Sequence, residues 1–257
     1  MSFGIDVKAL LLNKAADRVS EYESEPRIGT RYQAPLIGYV SANNPFFDEF
    51  YFRRLCIHPK IIFRPGNTVI VYFVPFADDI TESNRGGSAV SAKWNRAVGE
   101  SVMLAAHING TMREVLQDLG YYETSGTNLP SDWNEELCRP EWSHKHAAFL
   151  AGLGRFGAAG AFHTEKGFAG CFGSVITTLQ IDPSREWTEE ELRERDRISD
   201  DIEAVSLSVC PGMIALCPAG AVTGNGVDRV VCKEFCKNQG QPAPLTDVCG
   251  KCFFIKI

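Results

Sequence analysis

The sequence predicts an α+β protein, an α/β sandwich over residues 1–200 followed by a cysteine-rich module over residues 201–257. Three observations carry that expectation. Helical and strand periods alternate through the first part, and six of the nine cysteines fall between Cys210 and Cys252. The composition, 44% hydrophobic and 23% charged, is that of a globular chain long enough to bury a full core.

The elements follow in order. Phe3 to Val19 carries apolar residues at helical spacing, and Pro35 to Val40 reads as a strand. Asn43-Asn44-Pro45 starts a short helix through Phe50, Phe52 and Leu55, because Asn caps and Pro fits the first turn. Thr68 to Val74 is the clearest strand, a β-branched and aromatic run between Gly66 and Pro75. A long helix over Ala89 to Leu119 ends at Gly120. After an irregular stretch from Tyr121 to Pro140 come a helix from Glu141 to Ala151, a glycine-rich turn and a strand from Phe172 to Ile181. A charged, solvated helix over Glu186 to Ile198 leads into the cysteines.

A formal charge of −6 argues against a nucleic-acid substrate, which would need a basic surface. No apolar run reaches the roughly 18 residues of a membrane span. The first twenty residues carry Asp6, Lys8, Lys14, Asp17 and Arg18 and do not read as a signal peptide, so the expected compartment is a reducing cytoplasm. Crowded thiols in such a compartment point to metal or redox chemistry.

Gly152-Leu153-Gly154-Arg155-Phe156-Gly157 matches the dinucleotide fingerprint, yet it follows a helix rather than a strand. A helix C-cap with Gly152 and Gly154 at positive φ explains the glycines without a ligand, while such a turn could also bring backbone amides against a large planar cofactor.

The tail, rich in Pro and Gly and poor in apolar periods, lacks the means to fold on a core alone, and a metal centre supplies the missing constraint. Cys217-Pro218 ends as a bacterial ferredoxin motif ends, and Cys249-Gly-Lys-Cys252 grips one centre from a tight turn. Counting back from Cys217 finds Leu207, Cys210 and Met213, so one cluster lacks its ligands. Cys217, Cys249 and Cys252 remain, with a fourth ligand from Cys232 or Cys236, enough for one [4Fe-4S] cluster; Cys210 and the leftover thiol read as structural. A zinc held by four cysteines is the alternative.

Ala151 to Gly157, then Gly173-Ser-Val-Ile-Thr-Thr178, then Cys217-Pro-Ala-Gly-Ala-Val222 and Cys249-Gly-Lys-Cys252 resemble, in that order, the epoxyqueuosine reductase family and its shorter iron–sulfur relatives. Trp142-Ser143-His144 resembles an element of the short relatives. The resemblance implies a nitroreductase-like, corrinoid-reductase-like domain joined to a ferredoxin-like module that passes electrons to cobalamin. It implies a cluster on Cys217, Cys232, Cys249 and Cys252, and a cofactor beside Gly152 to Gly157, Ser174 and Thr177. Flavin is the second choice of cofactor. The expected partners are a small-molecule or corrinoid substrate and a redox donor protein.

Departures from the family are plain. Ala158-Ala159 stand where the family has Lys-Asn, and its catalytic aspartate falls near Cys138, with Glu141, Glu136 or Asp132 as substitutes and Glu141 the foremost. The helical extension that grips tRNA is missing. The reading is therefore a single-cluster oxidoreductase; the competing class is a non-enzymatic electron carrier or interaction protein with a structural metal tail. Among other residues, His107 reads as packed core, His163 as a possible lining of the glycine turn, and Cys138 as structural.

Overall fold

The computed structural model describes residues 6–124, 133–241 and 248–254. Asp132, one of the acids weighed above, lies outside them. The chain opens with α1 (Val7–Ser24), whose cap is Asp6: its carboxylate accepts from the Ala9 amide at 3.1 Å. β1 (Leu36–Ser41) follows, then α2 (Phe46–Phe52), where Asn44 Oδ1 accepts from the Phe46 amide at 3.0 Å, and α3 (Pro59–Ile62).

β2 (Thr68–Pro75) is buried along all eight residues. Alternate side chains enter two separate cores, as a strand's period of two requires. Val69 and Val71 pack with Phe46, Phe47, Phe50 and Trp142, while Ile70, Tyr72 and Val74 pack with Leu11, Ala15, Val19, Leu104 and Ile108. The second group draws on α1 and on α5 (Ala92–Asp118), which comes after α4 (Asp78–Ser83) and is capped by the Ser91 hydroxyl on the Trp94 amide at 3.1 Å.

The stretch read as irregular contains β3 (Glu123–Thr124), β4 (Trp133–Asn134) and β5 (Arg139–Pro140). Next come α6 (His144–Leu150), β6 (Gly154–Phe156), β7 (Phe162–Thr164) and β8 (Gly170–Thr177). The main sheet has the order β1-β2-β8-β3 with every pairing antiparallel, Thr68 facing Thr177 and Pro75 facing Gly170.

Two expectations change. The glycine turn is not a turn alone, since β6 and β7 form a hairpin with Gly154 opposite Thr164. The charged helix divides into α7 (Glu189–Arg193), begun by a Thr188–Glu191 capping box, and α8 (Arg195–Leu207), with Glu194 leaving helical geometry between them. Residue 201 lies inside α8.

The tail then forms α9 (Pro211–Leu216), a small hairpin of β9 (Val222–Thr223) and β10 (Gly226–Val227), and α10 (Arg229–Asn238). Asp228 caps α10 by accepting from the Val230 and Val231 amides at 3.0 Å each. Among the described residues, no helix is long and apolar enough to cross a membrane.

The β2–β8 contact leaves no room at Gly173, where a Cβ would sit 2.1 Å from the Tyr72 hydroxyl. That hydroxyl lies 2.9 Å from both the Ala105 carbonyl and Asn109 Oδ1, so it cannot swing away without losing buried partners. Gly173→Ala is expected to cost about 1–3 kcal/mol, read as a lower urea midpoint; an unchanged midpoint would show that the strand pair can yield.

Candidate functional site

The glycine segment works as a splint between α6 and the tail. Gly152 ends α6 at φ 75°, the left-handed geometry expected of it. Gly154 does not share that conformation, contrary to expectation; its need is space, since a Cβ there would lie 2.2 Å from the His163 carbonyl oxygen. At Gly157 a Cβ would meet the His163 ring at 2.9 Å, and at Gly152 it would meet Arg185 at 3.1 Å. Arg185 is itself held over Trp187, 3.6 Å from the ring, and by Glu191 at 2.8 Å.

The small residues are thus filled by the chain's own side chains. Leu153 packs in the core beside α2, and Phe156 meets Phe162 edge-on at 5.2 Å, leaving Arg155 exposed. Ser174 is buried: Trp142 Nε1 donates to its hydroxyl at 2.9 Å, and the hydroxyl shares a hydrogen bond with His144 Nδ1 at 3.0 Å. Thr177 is buried too, its hydroxyl donating to the Tyr122 carbonyl at 2.9 Å and accepting from the Leu179 amide at 3.1 Å. At Gly152, Gly154 and Gly157 the space beside the backbone is taken by Arg185 and His163, and Ser174 and Thr177 have protein partners. Trp142-Ser143-His144 pins α6 to β8 instead, with the Ser143 hydroxyl capping the helix.

The hairpin's tip turns at Ala158 to Gly160 and touches the tail. Buried Ala159 packs with Met213 and Val222, its amide donates to the Ser208 carbonyl at 2.9 Å, and Lys145 Nζ donates to the Gly160 carbonyl at 2.9 Å.

Cys249-Gly-Lys-Cys252 is fastened to the body by residues that sequence reasoning did not single out. Asn84 Nδ2 donates to the Cys249 carbonyl at 2.8 Å, and Trp94 Nε1 donates to the Val248 carbonyl at 2.7 Å. Buried Lys251 donates to the carbonyls of Asn84, at 2.9 Å, and Gly86. Burial lowers its pKa, and Cys249 nearby acts in the opposite sense. Gly250, at φ 66°, lets the turn close on Trp94, since a Cβ would stand 2.5 Å from that ring.

The six tail cysteines fall into two neighbourhoods. Cys236 and Cys249 are buried with Phe76, Ile80 and Trp94, with Cys232 packed against them. Cys210, Cys217 and Cys252 pack around Ala159, Met213 and Val222. The expected set Cys217, Cys232, Cys249 and Cys252 draws on both. Interaction with the Cys232 and Cys249 thiols, then burial, raises the pKa of Cys236. Among the described residues, no three His, Cys, Asp or Glu side chains are already set out to hold a metal ion. The donor chemistry nonetheless fits a soft, thiolate-held centre, because the gathered groups are sulfurs. The remaining cysteines lie elsewhere: Cys56 and Cys171 are thiols that burial pushes up to about 12, and buried Cys138 donates to the Glu135 carbonyl at 3.4 Å.

Beside the tail opens a cleft of about 470 Å³ lined by Tyr51, Phe52, Arg54, Cys56, Ile57, Asn134 and Glu141. Glu141 is exposed there and accepts from Asn134 Nδ2 at 2.7 Å, while Glu136 pairs with Arg54 at 3.4 Å. Arg54 adopts φ 58°, an uncommon conformation for a residue with a side chain. The cleft and the tail are joined: Lys233 of α10 pairs with Glu135, between β4 and β5, at 2.9 Å.

The histidines divide by environment. His107 is partly exposed against Tyr22 at 5.4 Å, not a core residue. His163 lines the hairpin and meets Phe168 edge-on at 6.0 Å. Burial pulls His144 down to about 4. His146 lies 4.7 Å from both Phe50 and Phe156, and burial, then Arg139 and Lys145, pull it down to about 3.

No family model matches the chain, and no curated protein matches it. Two solved structures are similar. A crystal structure of epoxyqueuosine reductase with a tRNA-Tyr epoxyqueuosine-modified tRNA stem loop shares 14% identity at a TM-score of 0.52, covering 89% of this chain and 56% of that one. A selenomethionine-labelled epoxyqueuosine reductase shares 12% identity at a TM-score of 0.45, covering 87% and 57%. The chain thus has an epoxyqueuosine reductase-like fold of mixed helix and sheet, and spans little more than half the length of those structures.

Two outcomes are expected. Asn84→Ala removes the donor to Cys249 and the acceptor that takes the Ser91 amide at 3.1 Å. It should cost about 1–3 kcal/mol and speed hydrogen exchange at residues 248–254; unchanged exchange would show that Trp94 and Lys251 suffice. His146 stays neutral when folded and titrates near its ordinary 6.5 when unfolded. Its contribution is therefore complete above about pH 6.5 and is lost as pH falls from there toward about 3. His146→Phe should flatten that acid limb by about 1.4 kcal/mol per pH unit, measured by urea titrations between those limits; an unaltered slope would place the proton elsewhere.

Proposed function

We propose that the chain is an iron–sulfur oxidoreductase whose tail thiolates, Cys217, Cys232, Cys249 and Cys252 on the family resemblance, hold one [4Fe-4S] cluster for electron transfer to cobalamin, or less suitably flavin, and reduction of a small-molecule or corrinoid substrate. The observation that supports it most is the packing of the cysteine tail, within an epoxyqueuosine reductase-like fold, against the glycine hairpin and the cleft. A cluster bound by these thiolates supplies one-electron transfer, fed by a redox donor protein.

The residues of the chain divide the remaining work. Because the hairpin's glycines are filled by His163 and Arg185, the electron acceptor is assigned to the cleft beside Glu141. Tyr51 and Phe52 offer it an exposed apolar wall, and Glu141, its Oε1 fixed by Asn134, is the carboxyl placed to exchange a proton with it. The Lys233–Glu135 pair, next to Asn134 of the cleft lining, is a contact between this region and the helix that carries Cys232.

An RNA substrate returns as a second reading on one observation. Arg139 lies within electrostatic reach of Arg229, and Lys145 and Arg155 within reach of the neutral His146 or His163, so cationic side chains gather locally in a chain of net charge −6. The neighbour solved with a tRNA stem loop makes that RNA the probe to use.

Anaerobic purification followed by metal analysis and visible spectroscopy tests the proposal. About four irons per chain, a broad visible absorption that bleaches with dithionite, and a shifted spectrum of added cobalamin are expected. One zinc per chain with no visible absorption would make the tail structural and leave the electron carrier or interaction class in its place. Retardation of a tRNA stem loop at physiological salt would favour the RNA reading.

A further inference from the structure

Arg54 stands where a helix end ordinarily has glycine. α2 closes with the Arg54 amide donating to the Tyr51 carbonyl at 3.0 Å and the Leu55 amide donating to the Phe50 carbonyl at 2.8 Å. That pair of bonds makes a helix cap whose left-handed position, usually glycine, is taken here by Arg54 at φ 58°. A residue with a Cβ is strained there. Leu55 and Phe50 share the core beneath, and Arg139 donates to the Arg54 carbonyl, so the surroundings hold the backbone in place. Glycine would serve this turn better than arginine. What arginine adds is a guanidinium in the lining of the cleft of about 470 Å³. Its ion pair with Glu136, at 3.4 Å, joins two exposed side chains and is worth little against water.

The rest of the lining is complementary to that cation. Tyr51 and Phe52, both exposed, and Ile57 offer apolar surface, whereas Glu141, held by Asn134 Nδ2 at 2.7 Å, presents a carboxylate. A negative group beside Glu141 is repelled. The same group beside Arg54 replaces Glu136 in a charge-assisted contact that suits the planar fork of a guanidinium. We infer that the cleft takes an aromatic compound bearing a carboxylate or phosphate, with Arg54 selecting the anion and Glu141 accepting from an N–H or O–H elsewhere on the ligand. The inference rests on the reading that the electron acceptor occupies this cleft, and it names that acceptor's chemical class. The cleft's volume lies in the range of small-molecule sites.

The test uses the full chain and a matched pair of probes, para-hydroxybenzoate and its uncharged amide. Both are titrated by ligand-detected NMR into wild type, Phe52→Ala, Arg54→Gly and Arg54→Asn. The wild type is expected to bind the acid about tenfold more tightly than the amide. Phe52→Ala should weaken both alike, which locates them in the cleft. Arg54→Gly and Arg54→Asn should bind the acid no better than the amide, while the urea midpoint of Arg54→Gly rises as the strain is relieved. Stability gained as the anion preference is lost is a combination that a merely structural arginine does not give. Equal affinity of the wild type for acid and amide, a preference kept by Arg54→Gly, or a midpoint of that variant no higher than wild type overturns the inference alone. Probes that the wild type does not bind, or that Phe52→Ala binds unchanged, overturn the reading beneath it, in which an organic acceptor sits in the cleft.

Discussion

The burial of β2 on both faces is the constraint from which the architecture follows. A strand buried at eight consecutive positions needs a covering layer on each side, because neither alternate set of its side chains can be left to water. α1 and α5 cover Ile70, Tyr72 and Val74, whereas α2 and α6 cover Val69 and Val71. The contact with β8 is then so close that Tyr72 occupies the space above Gly173. Each helix that follows has its position set by the sheet: α6 is pinned to β8 through Trp142, His144 and Ser174, and the glycine hairpin leaves α6 in a fixed direction.

The tail inherits its order from this body. Its own buried core beside the hairpin amounts to Ala159, Met213 and Val222, of which Ala159 belongs to the body. Polar anchors carry the rest. Burying a lysine costs several kcal/mol unless its hydrogen bonds are made, and Lys251 makes them to the carbonyls of Asn84 and Gly86. Asn84 in turn reaches forward to Cys249, so one buried amide and one buried ammonium interlock the α4–α5 junction with the Cys-x-x-Cys turn. The turn that carries Cys249 and Cys252 is therefore docked on the body by hydrogen bonds of its own.

The parts of the fold readable from sequence were those with a sustained local period. α1, β1, α2, β2, α5 and β8 each repeat their pattern over several residues, and their boundaries shift by a few positions at most where the structure defines them. β6 and β7 span three residues each, too few for alternation to register, and their glycines point to a turn when taken alone. Gly154 illustrates the limit: a glycine required by a carbonyl nine residues away looks the same in sequence as one required by positive φ. The cysteine groups were legible as a cluster of thiols, but their division was not, because it depends on contacts to Trp94 and Asn84 more than 140 residues earlier. Ser174 and Thr177 were expected at a cofactor; they sit mid-strand in a buried sheet, where hydroxyls must find protein partners.

The hairpin's role changes the relation between the two halves of the molecule. His163 and Arg185 take the space beside its glycines. What the glycines permit is close approach of the chain to itself, so that Ala159, at φ 54°, can enter the tail's small core while Lys145 holds the turn from behind. A non-glycine residue in that left-handed region stores strain that its surroundings must outweigh. The compensating contacts are the Ser208 carbonyl and Met213, both supplied by the segment that leads into the cysteines. Hairpin and tail therefore stabilise one another through Ala159 and Met213.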